Sequence, residues 1–423
     1  MLSLCLAIES SLVTSRSVNV RAFGLLLFPL VLSSSAAAQV AGVGSLTLQA
    51  AIDRAMAANA TIAAARLRGP INLANLAVAR ERLNPEGSFE LEKETPKEAY
   101  GVAVPLELGG KRAKRIAVGE ATVRAGDAEL AATVAQVRND VRRAYFGQVL
   151  AESRLMLLRE QRDLSMRARD AAQARFDAGS APRLEVMQAQ LALAAAENEA
   201  NAAEGTTAAA RAALNALLAQ PLDAPMTLST NVDTGEPLAT PAALMLAQTA
   251  STELVSLDRQ IDAQRARIAL AEALRVPDLT PTFTLTHRSE PDFTYGWRAG
   301  AAITLPIFTT HRAGVLVEQT TLDQLISQRQ ASLLRIQGDV TAASQRAQAQ
   351  RQLFVRYRDE IIPQAQQVEQ LAQDSYQLGQ TGIAALLQAL QATRDVRLRS
   401  LDAIDQFQTA LTDLERAIGA PLP

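Results

Sequence analysis

The sequence predicts a mainly α-helical protein with a small β part, in which long helices fold back as hairpins. Hydrophobic residues make up 48% of the chain but aromatic residues only 4%. Much of the apolar content is alanine, as in residues 191–220, and alanine favours closely packed helices that bury little area per residue. No proline occurs between Pro105 and Pro182, and the sequence resembles itself after a shift of 200 residues. These observations favour long helices arranged in two similar halves.

Residues 1–38 are predicted to be a secretory signal peptide. Two arginines precede the apolar run 22–32, and Ala36-Ala37-Ala38 forms a small-residue cleavage site. A membrane anchor is the alternative, but eleven apolar residues are too few to span a bilayer. The sequence therefore predicts export, with Gln39 at the mature start.

Composition excludes several function classes. The net charge is −2 with both signs interspersed, so no nucleic-acid partner is expected. The only cysteine, Cys5, lies in the predicted signal peptide, so neither a disulfide nor a lipid anchor is expected. His287 and His311 have no ligand spacing, and no metal site, cofactor or enzymatic activity is predicted. Gly109–Arg112 could suggest a phosphate loop, but the matching segment 309–312 lacks glycine, which favours a strand-to-helix corner.

Two structural repeats are predicted, residues 39–236 and 237–423. Glycine and proline matches across the 200-residue shift, such as Gly179 with Gly379 and Pro221 with Pro421, support the division. Each repeat is expected to contain a helix, a β segment, a very long helix and a shorter helix. The expected ranges are 46–82, 87–106, 112–178 and 183–219 in the first repeat, and 239–274, 280–307, 312–378 and 383–418 in the second.

The long helices are expected to end in hairpin tips. Residues 112–178 would extend about 100 Å at 1.5 Å per residue, and Pro363 predicts a kink in the second long helix. Gly179 and Gly379 suit a helix C-cap with positive φ, and Pro182 suits the first turn of a new helix. A kink within one continuous helix is the alternative, although the break recurs at the same place in both halves.

The β segments alternate between apolar and polar residues. Strands of about ten residues with one apolar face are what an outer-membrane barrel requires, and a soluble hairpin with one buried face is the alternative. Four strands cannot close a wide barrel, so strands in a membrane would have to be shared among several chains. The lipid-facing candidates are Phe89, Leu91, Tyr100, Val102, Val104, Phe283, Leu285, Trp297 and Ile303.

Residues 46–421 resemble the TolC-like outer-membrane efflux proteins. The resemblance is carried by "RFDAGSAPRLEVMQAQ" (175–190) and "SYQLGQTGIAALLQAL" (375–390), together with "YGVAVPLELGGKR" (100–112) and "AAITLPIFTTHRAG" (301–314). The phrases "PLELGGKR" and "LPIFTTHRAG" are most similar to the CzcC-like branch, which serves heavy-metal cation efflux.

The resemblance implies a homotrimer whose chains each contribute four strands to a twelve-stranded β-barrel in the outer membrane. The helices would form a periplasmic α-barrel, and a resistance–nodulation–division transporter of the inner membrane would supply the energy. The hairpin tips would meet a periplasmic adaptor. The tip residues are Gly179, Ser180, Ala181 and Pro182 in the first repeat, and Gly379, Gln380, Thr381 and Gly382 in the second.

Some members of this family close the tunnel with acidic residues just past the hairpin glycine. The corresponding positions are Glu185, Gln188, Ala385 and Gln388. A trimer would therefore carry one ring of three carboxylates from Glu185, which would favour cations. A solvated glutamate on a helix surface is the alternative.

Three other functions remain open at this point. A multidrug duct for organic compounds would share the whole architecture. A periplasmic adaptor also contains a long helical hairpin, but it normally has one hairpin flanked by β-rich domains. A coiled-coil scaffold would have no lipid-facing strands.

Overall fold

The computed structural model describes residues 45–229, 236–288 and 294–422. The predicted signal peptide and Gln39 lie outside the described residues. The described chain contains ten α-helices and four strands. In chain order they are α1 (Leu48–Ala58), α2 (Ala60–Arg66), α3 (Arg68–Arg80), β1 (Glu86–Leu91), β2 (Glu98–Ala103), α4 (Lys111–Asp177), α5 (Arg183–Leu217), α6 (Thr240–Ala250), α7 (Thr252–Ala273), β3 (Leu279–His287), β4 (Tyr295–Ile303), α8 (Arg312–Arg356), α9 (Ile362–Gln377) and α10 (Ile383–Ile418).

The prediction of one continuous helix at the start of each half is wrong. The first breaks at Asn59 and Leu67, and the second breaks at Ser251. Asn59 is extended, and its side-chain oxygen accepts a hydrogen bond from the Thr61 N–H at 2.9 Å, so it caps a new helix. Ser251 is also extended and caps α7. Both residue types compete with the helical backbone and favour N-caps.

The long helices differ between the halves. Helix α4 is continuous over 67 residues, whereas α8 passes through a π-helical turn, Tyr357–Ile361, before α9 begins. Pro363 is the second residue of α9 and has no N–H to donate. The predicted interruption near Pro363 is therefore present as a widened turn.

Both helical hairpins turn through the same hydrogen-bonded motif. Gly179 and Gly379 each have φ of 72°. The Ser180 N–H donates to the Arg175 carbonyl at 2.8 Å, and the Gln380 N–H donates to the Ser375 carbonyl at 2.9 Å. These six-residue closures end a helix with a left-handed glycine, so the alternative of a kinked continuous helix is excluded. Pro182 is the N-cap of α5, one residue before the position predicted for it.

The four strands form one antiparallel sheet in the order β1-β2-β3-β4. Strands β1 and β2 have six residues and β3 and β4 have nine, so the first pair is shorter than predicted. Pairing continues beyond β2, because the Val104 N–H donates to the Pro281 carbonyl at 3.0 Å and Leu106 forms a bridge with Leu279. Strands β1 and β4 are the edges of the sheet.

Helix α4 is the common packing element, in contact with α3, α5, α7 and α10. Its middle contributes Tyr145 and Phe146 to a core that also contains Ala51 and Leu214. A second core between the hairpins contains Tyr376 and Leu386 alongside small residues such as Ala172 and Ala189. Among the described helices, none combines the length and apolar character needed to cross a bilayer.

Candidate functional site

One face of the sheet carries all the predicted lipid-facing residues of the four strands. The register aligns Phe89 with Tyr100, Tyr100 with Leu285 and Leu285 with Trp297. A second row joins Val102, Phe283 and Ala299. Directly paired residues share a face, so these rows form one apolar surface.

This apolar surface is exposed in the single chain. The exposed fraction ranges from 38% for Val104 to 73% for Trp297. The exposed predicted residues are Phe89, Leu91, Tyr100, Val102, Val104, Phe283, Leu285, Trp297 and Ile303. A contiguous apolar face of this kind marks a surface that another phase or molecule covers.

The opposite face is polar and contains small residues. Ser88 pairs with Gly101, which pairs with Thr284, which in turn pairs with Arg298. A Cβ atom at Gly101 would lie 2.3 Å from the Ser88 Oγ atom. Glycine therefore allows the polar side chains to pack across this face.

The turn end of the sheet carries a polar and aromatic cluster that the sequence analysis missed. The His287 Nδ1 atom lies 3.2 Å from the Glu98 Oε2 atom, and the His287 ring lies 5.1 Å from the Tyr295 ring. The Tyr100 hydroxyl donates to Glu98 at 3.3 Å. Glu98 and His287 pair across β2 and β3 although they are 189 positions apart. No group of three or more metal-ligating side chains occurs among the residues that the structure describes.

The basic segment after β2 forms a structural corner. The Arg112 guanidinium donates to the Arg80 carbonyl at 2.5 and 3.1 Å, and Arg115 donates to the carbonyls of Ala79 and Glu81. These carbonyls belong to the end of α3, where cations and donors are stabilising. Lys111 is buried and pairs with Asp278 at 2.7 Å. Lys111, Arg112 and Arg115 thus all interact with protein partners, which favours a structural corner over a phosphate-binding loop.

The hairpin tips are largely exposed. Ala181 and Thr381 are half-buried. The other six predicted tip residues are exposed: Gly179, Ser180, Pro182, Gly379, Gln380 and Gly382. Open space surrounds the Cβ positions of Gly179 and Gly379, so the glycines are required by backbone conformation rather than by close packing.

The four aperture candidates have different environments. Gln188, Ala385 and Gln388 are exposed, whereas Glu185 is half-buried. The Tyr376 hydroxyl donates to the Glu185 Oε2 atom at 3.3 Å. Glu185 therefore forms a hydrogen bond with the other hairpin of its own chain. It is neither a fully solvated glutamate nor a carboxylate without a protein partner.

Tyr376 is the centre of this contact between the hairpins. The Arg175 guanidinium carbon lies 4.8 Å from the Tyr376 ring centroid, within cation–π range. Burial raises the pKa of the Tyr376 hydroxyl, and the negative charge of Glu185 raises it further. The sequence analysis did not identify Tyr376 or Arg175 as site residues.

The seam between the hairpins carries a series of ion pairs. The Arg142–Glu415 pair is buried with an N–O distance of 2.6 Å. The other pairs across this seam are Arg143–Asp413, Arg154–Asp402, Arg397–Glu160 and Arg394–Glu199. The two halves are thus joined by charged contacts along α4, α5 and α10.

Known proteins match both the sequence and the fold. The sequence model of the family described as outer membrane efflux protein matches residues 39–220. The cobalt-zinc-cadmium resistance protein CzcC of Cupriavidus metallidurans is 26% identical over 380 residues, covering 89% of this chain and 90% of that protein. The nickel-cobalt-cadmium resistance protein NccC of Alcaligenes xylosoxydans xylosoxydans is 27% identical over 269 residues, covering 59% of this chain and 56% of that protein.

A solved structure of CusC, described in terms of folding and transmembrane channel formation, has the same fold. The TM-score is 0.74 at 18% identity, and the alignment covers 88% of this chain and 92% of CusC. The paired hairpins and the four-stranded sheet are thus part of a fold that this chain shares with CusC. Residues 39–220 thus match the outer membrane efflux protein family in sequence, and the chain is similar in fold to CusC.

Proposed function

We propose that this protein is the outer-membrane duct of a tripartite efflux system, a passive conduit across the periplasm and the outer membrane. The observation that carries the proposal is the apolar face shared by all four strands, opposite a face with Ser88, Thr284 and Arg298. A strand that is apolar on one side and polar on the other suits a barrel with lipid around it and water in its lumen. A periplasmic adaptor or a coiled-coil scaffold has no use for such a face.

The open edges of the chain support a homotrimer with a twelve-stranded barrel. Strands β1 and β4 are sheet edges, and an edge in lipid must be paired. In the hairpin region α5 contacts α4, α4 contacts α10 and α10 contacts α9. The outer helices carry exposed apolar residues at helical spacing: Leu184, Met187 and Leu191 on α5, and Val368 and Leu371 on α9, followed by Leu378 at its C-cap. Copies arranged in a ring would bring these stripes and sheet edges together.

The proposed partners are a periplasmic adaptor and an inner-membrane resistance–nodulation–division transporter. The two hairpin tips offer exposed small and polar residues for contact with an adaptor hairpin. The transporter supplies the energy, and the duct catalyses no reaction.

Divalent heavy-metal cations are the proposed cargo. This rests on the names of the relatives, which are resistance proteins for cobalt, zinc and cadmium or for nickel, cobalt and cadmium. Cations would pass through without a dedicated chelating cage, with Glu185 as the candidate for cation preference at the aperture. A duct for organic compounds is the second candidate.

The proposed localisation is the outer membrane, with the hairpins extending into the periplasm. Residues 1–38 would be removed during export, and a lipid anchor is not expected. Residues 39–236 and 237–423 are proposed as two structural repeats. The two left-handed glycines at equivalent positions support this division.

Two substitutions at adjacent positions test the membrane assignment. Trp297→Asp places a charge on the proposed lipid side at a cost on the order of a few kcal/mol per chain, whereas Arg298→Asp places the same residue on the polar side. In outer-membrane fractions, wild type and Arg298→Asp should give a heat-resistant trimer band, and Trp297→Asp should not. Normal assembly of Trp297→Asp would refute the membrane assignment.

A further inference from the structure

The segment that follows β4 exposes an unusual apolar pair. Phe308 is 98% exposed and Ile307 is 68% exposed. They lie in the connection to α8, which begins at Arg312. Burial of a phenylalanine is worth about 1.5–3 kcal/mol, so complete exposure to water at this corner is unfavourable.

The position of this pair follows from the length of β4. Its nine residues extend about 30 Å at 3.3 Å per residue, or about 23 Å along the barrel axis at a tilt of about 40°. The apolar band of an outer-membrane barrel is about 25 Å tall. If β4 spans that band, Ile307 and Phe308 lie at its edge on the helix side, opposite the cluster of Tyr295 and His287.

The surroundings of Phe308 combine apolar and polar groups. A cavity of about 250 Å³ is lined by Phe308, Leu305, Lys111, Asp278 and His311. Lys111 and Asp278 form an ion pair at 2.7 Å, so their charges neutralise each other. An apolar rim beside a neutralised polar cleft suits the boundary between acyl chains and lipid headgroups, where outer-membrane barrels carry girdles of aromatic residues.

The equivalent corner of the first half has a different construction. The Leu108 N–H donates to the Asp278 carboxylate at 3.1 Å, and Gly109 packs against Val276. This corner has glycines where the second half has Thr309 and Thr310. The exposed aromatic side chain is therefore a feature of the second half alone.

We propose that Ile307 and Phe308 form an interfacial anchor that inserts into the headgroup boundary of the periplasmic leaflet. The partner is a phospholipid surface, because exposed apolar residues continue along the chain from the lipid-facing Trp297 and Ile303 through Leu305 to this pair. The inference rests on the proposed function, which places the sheet in the membrane. Three such anchors in a trimer would fix the depth of the barrel in the bilayer.

Tryptophan fluorescence in vesicles of brominated phosphatidylcholine tests the anchor. Trp297 is the only tryptophan of the chain, so the wild type reports on the sheet and Trp297→Phe provides a silent background. Phe308→Trp or Ile307→Trp in that background reports on the corner. Phe176→Trp in the same background is the periplasmic control. Each trimer is reconstituted with bromines either near the headgroup or near the chain ends.

The anchor predicts that the corner tryptophan loses more fluorescence to shallow bromines than to deep ones, while the control at position 176 loses none. Quenching of the corner tryptophan no stronger than that at position 176 would overturn the anchor. If the emission of the corner tryptophan is blue-shifted but not quenched, the pair contacts a second copy of the chain instead of lipid. If Trp297 itself is not quenched, the proposed membrane function fails. If Trp297 is quenched and the corner is not, only the anchor fails.

Discussion

The tips of the two helical hairpins have the same backbone and different side chains. Gly179 and Gly379 have the same φ of 72°, and each tip closes with the same pair of backbone hydrogen bonds. The aromatic residue three positions earlier differs in burial, because Phe176 is 39% exposed and Tyr376 is 1% exposed.

The difference arises from what surrounds each aromatic residue. Tyr376 packs in the core between the hairpins with Arg175 over its ring and Glu185 accepting from its hydroxyl. The matching positions in the other half are Ser375 and Ala385, which can provide neither a cation–π contact nor a carboxylate. The backbone motif thus sets the turn, while side-chain differences decide which tip is held in the seam between the hairpins.

The largest expected loss of stability follows from truncating the buried aromatic residue, Tyr376. Tyr376→Ala should lower stability by about 3–5 kcal/mol, as for other large-to-small changes in a core. Phe176→Ala should cost about 1 kcal/mol or less, because this ring is partly exposed. Thermal unfolding of the detergent-solubilised protein, followed by circular dichroism, compares the two. Equal losses would mean that the tips are equivalent in packing.

The glycines should instead respond alike. Gly179→Ala and Gly379→Ala each force a left-handed conformation on a residue with a Cβ atom, which costs about 1–2 kcal/mol. No neighbouring atom obstructs the new methyl group at either site. The same unfolding measurement should give matching losses, and a large difference would contradict a shared backbone motif.

Removal of the tyrosine hydroxyl isolates its hydrogen bond. Tyr376→Phe should lower stability by about 0.5–1.5 kcal/mol at neutral pH. The pKa of Tyr376 is raised in the folded protein, first by burial and then by Glu185. Its neutral form therefore contributes stability below the unfolded pKa near 10, and this is lost as pH rises through the folded pKa. The advantage of wild type over Tyr376→Phe should shrink above pH 10; a constant advantage would argue against the buried hydroxyl.

The smallest expected change in stability concerns Glu369 on α9. The equivalent position of the first half is Arg169 on α4. Glu369 is buried, and desolvation raises its pKa despite the opposing charge of Arg397. The charged form is therefore disfavoured in the folded protein, and stability rises as pH falls through the folded pKa toward the unfolded value. Glu369→Gln should be slightly more stable than the wild type at pH 7. This difference in stability should become smaller as the pH is lowered. Destabilisation at pH 7 would indicate that the ion pairing outweighs burial.

Local signals in the sequence were sufficient for the turns and the strand faces. Gly179 and Gly379 ended their helices because glycine adopts positive φ without strain, and alternation placed Phe89, Tyr100 and Trp297 on one face. The breaks at Asn59 and Ser251 had a local signal in their capping side chains, but alanine-rich helix propensity on both sides concealed it.

Contacts between distant segments could not be predicted in this way. Tyr376 and Glu185 are 191 positions apart, and Arg175 and Tyr376 are 201 positions apart. Their meeting depends on how the two hairpins pack against each other, which helix periodicity alone does not define. The same holds for Glu98 and His287, which become neighbours only when β2 pairs with β3.

The proposed role as a heavy-metal efflux duct is tested most directly by a resistance panel on a strain in which the gene is deleted. Divalent cobalt, zinc, cadmium, nickel and copper are tested beside organic antibiotics and detergents, with complementation by wild type and by Trp297→Asp. The account predicts sensitivity confined to metals, which wild type restores and Trp297→Asp does not. Sensitivity to organic compounds alone would contradict the metal assignment, and full rescue by Trp297→Asp would contradict the duct.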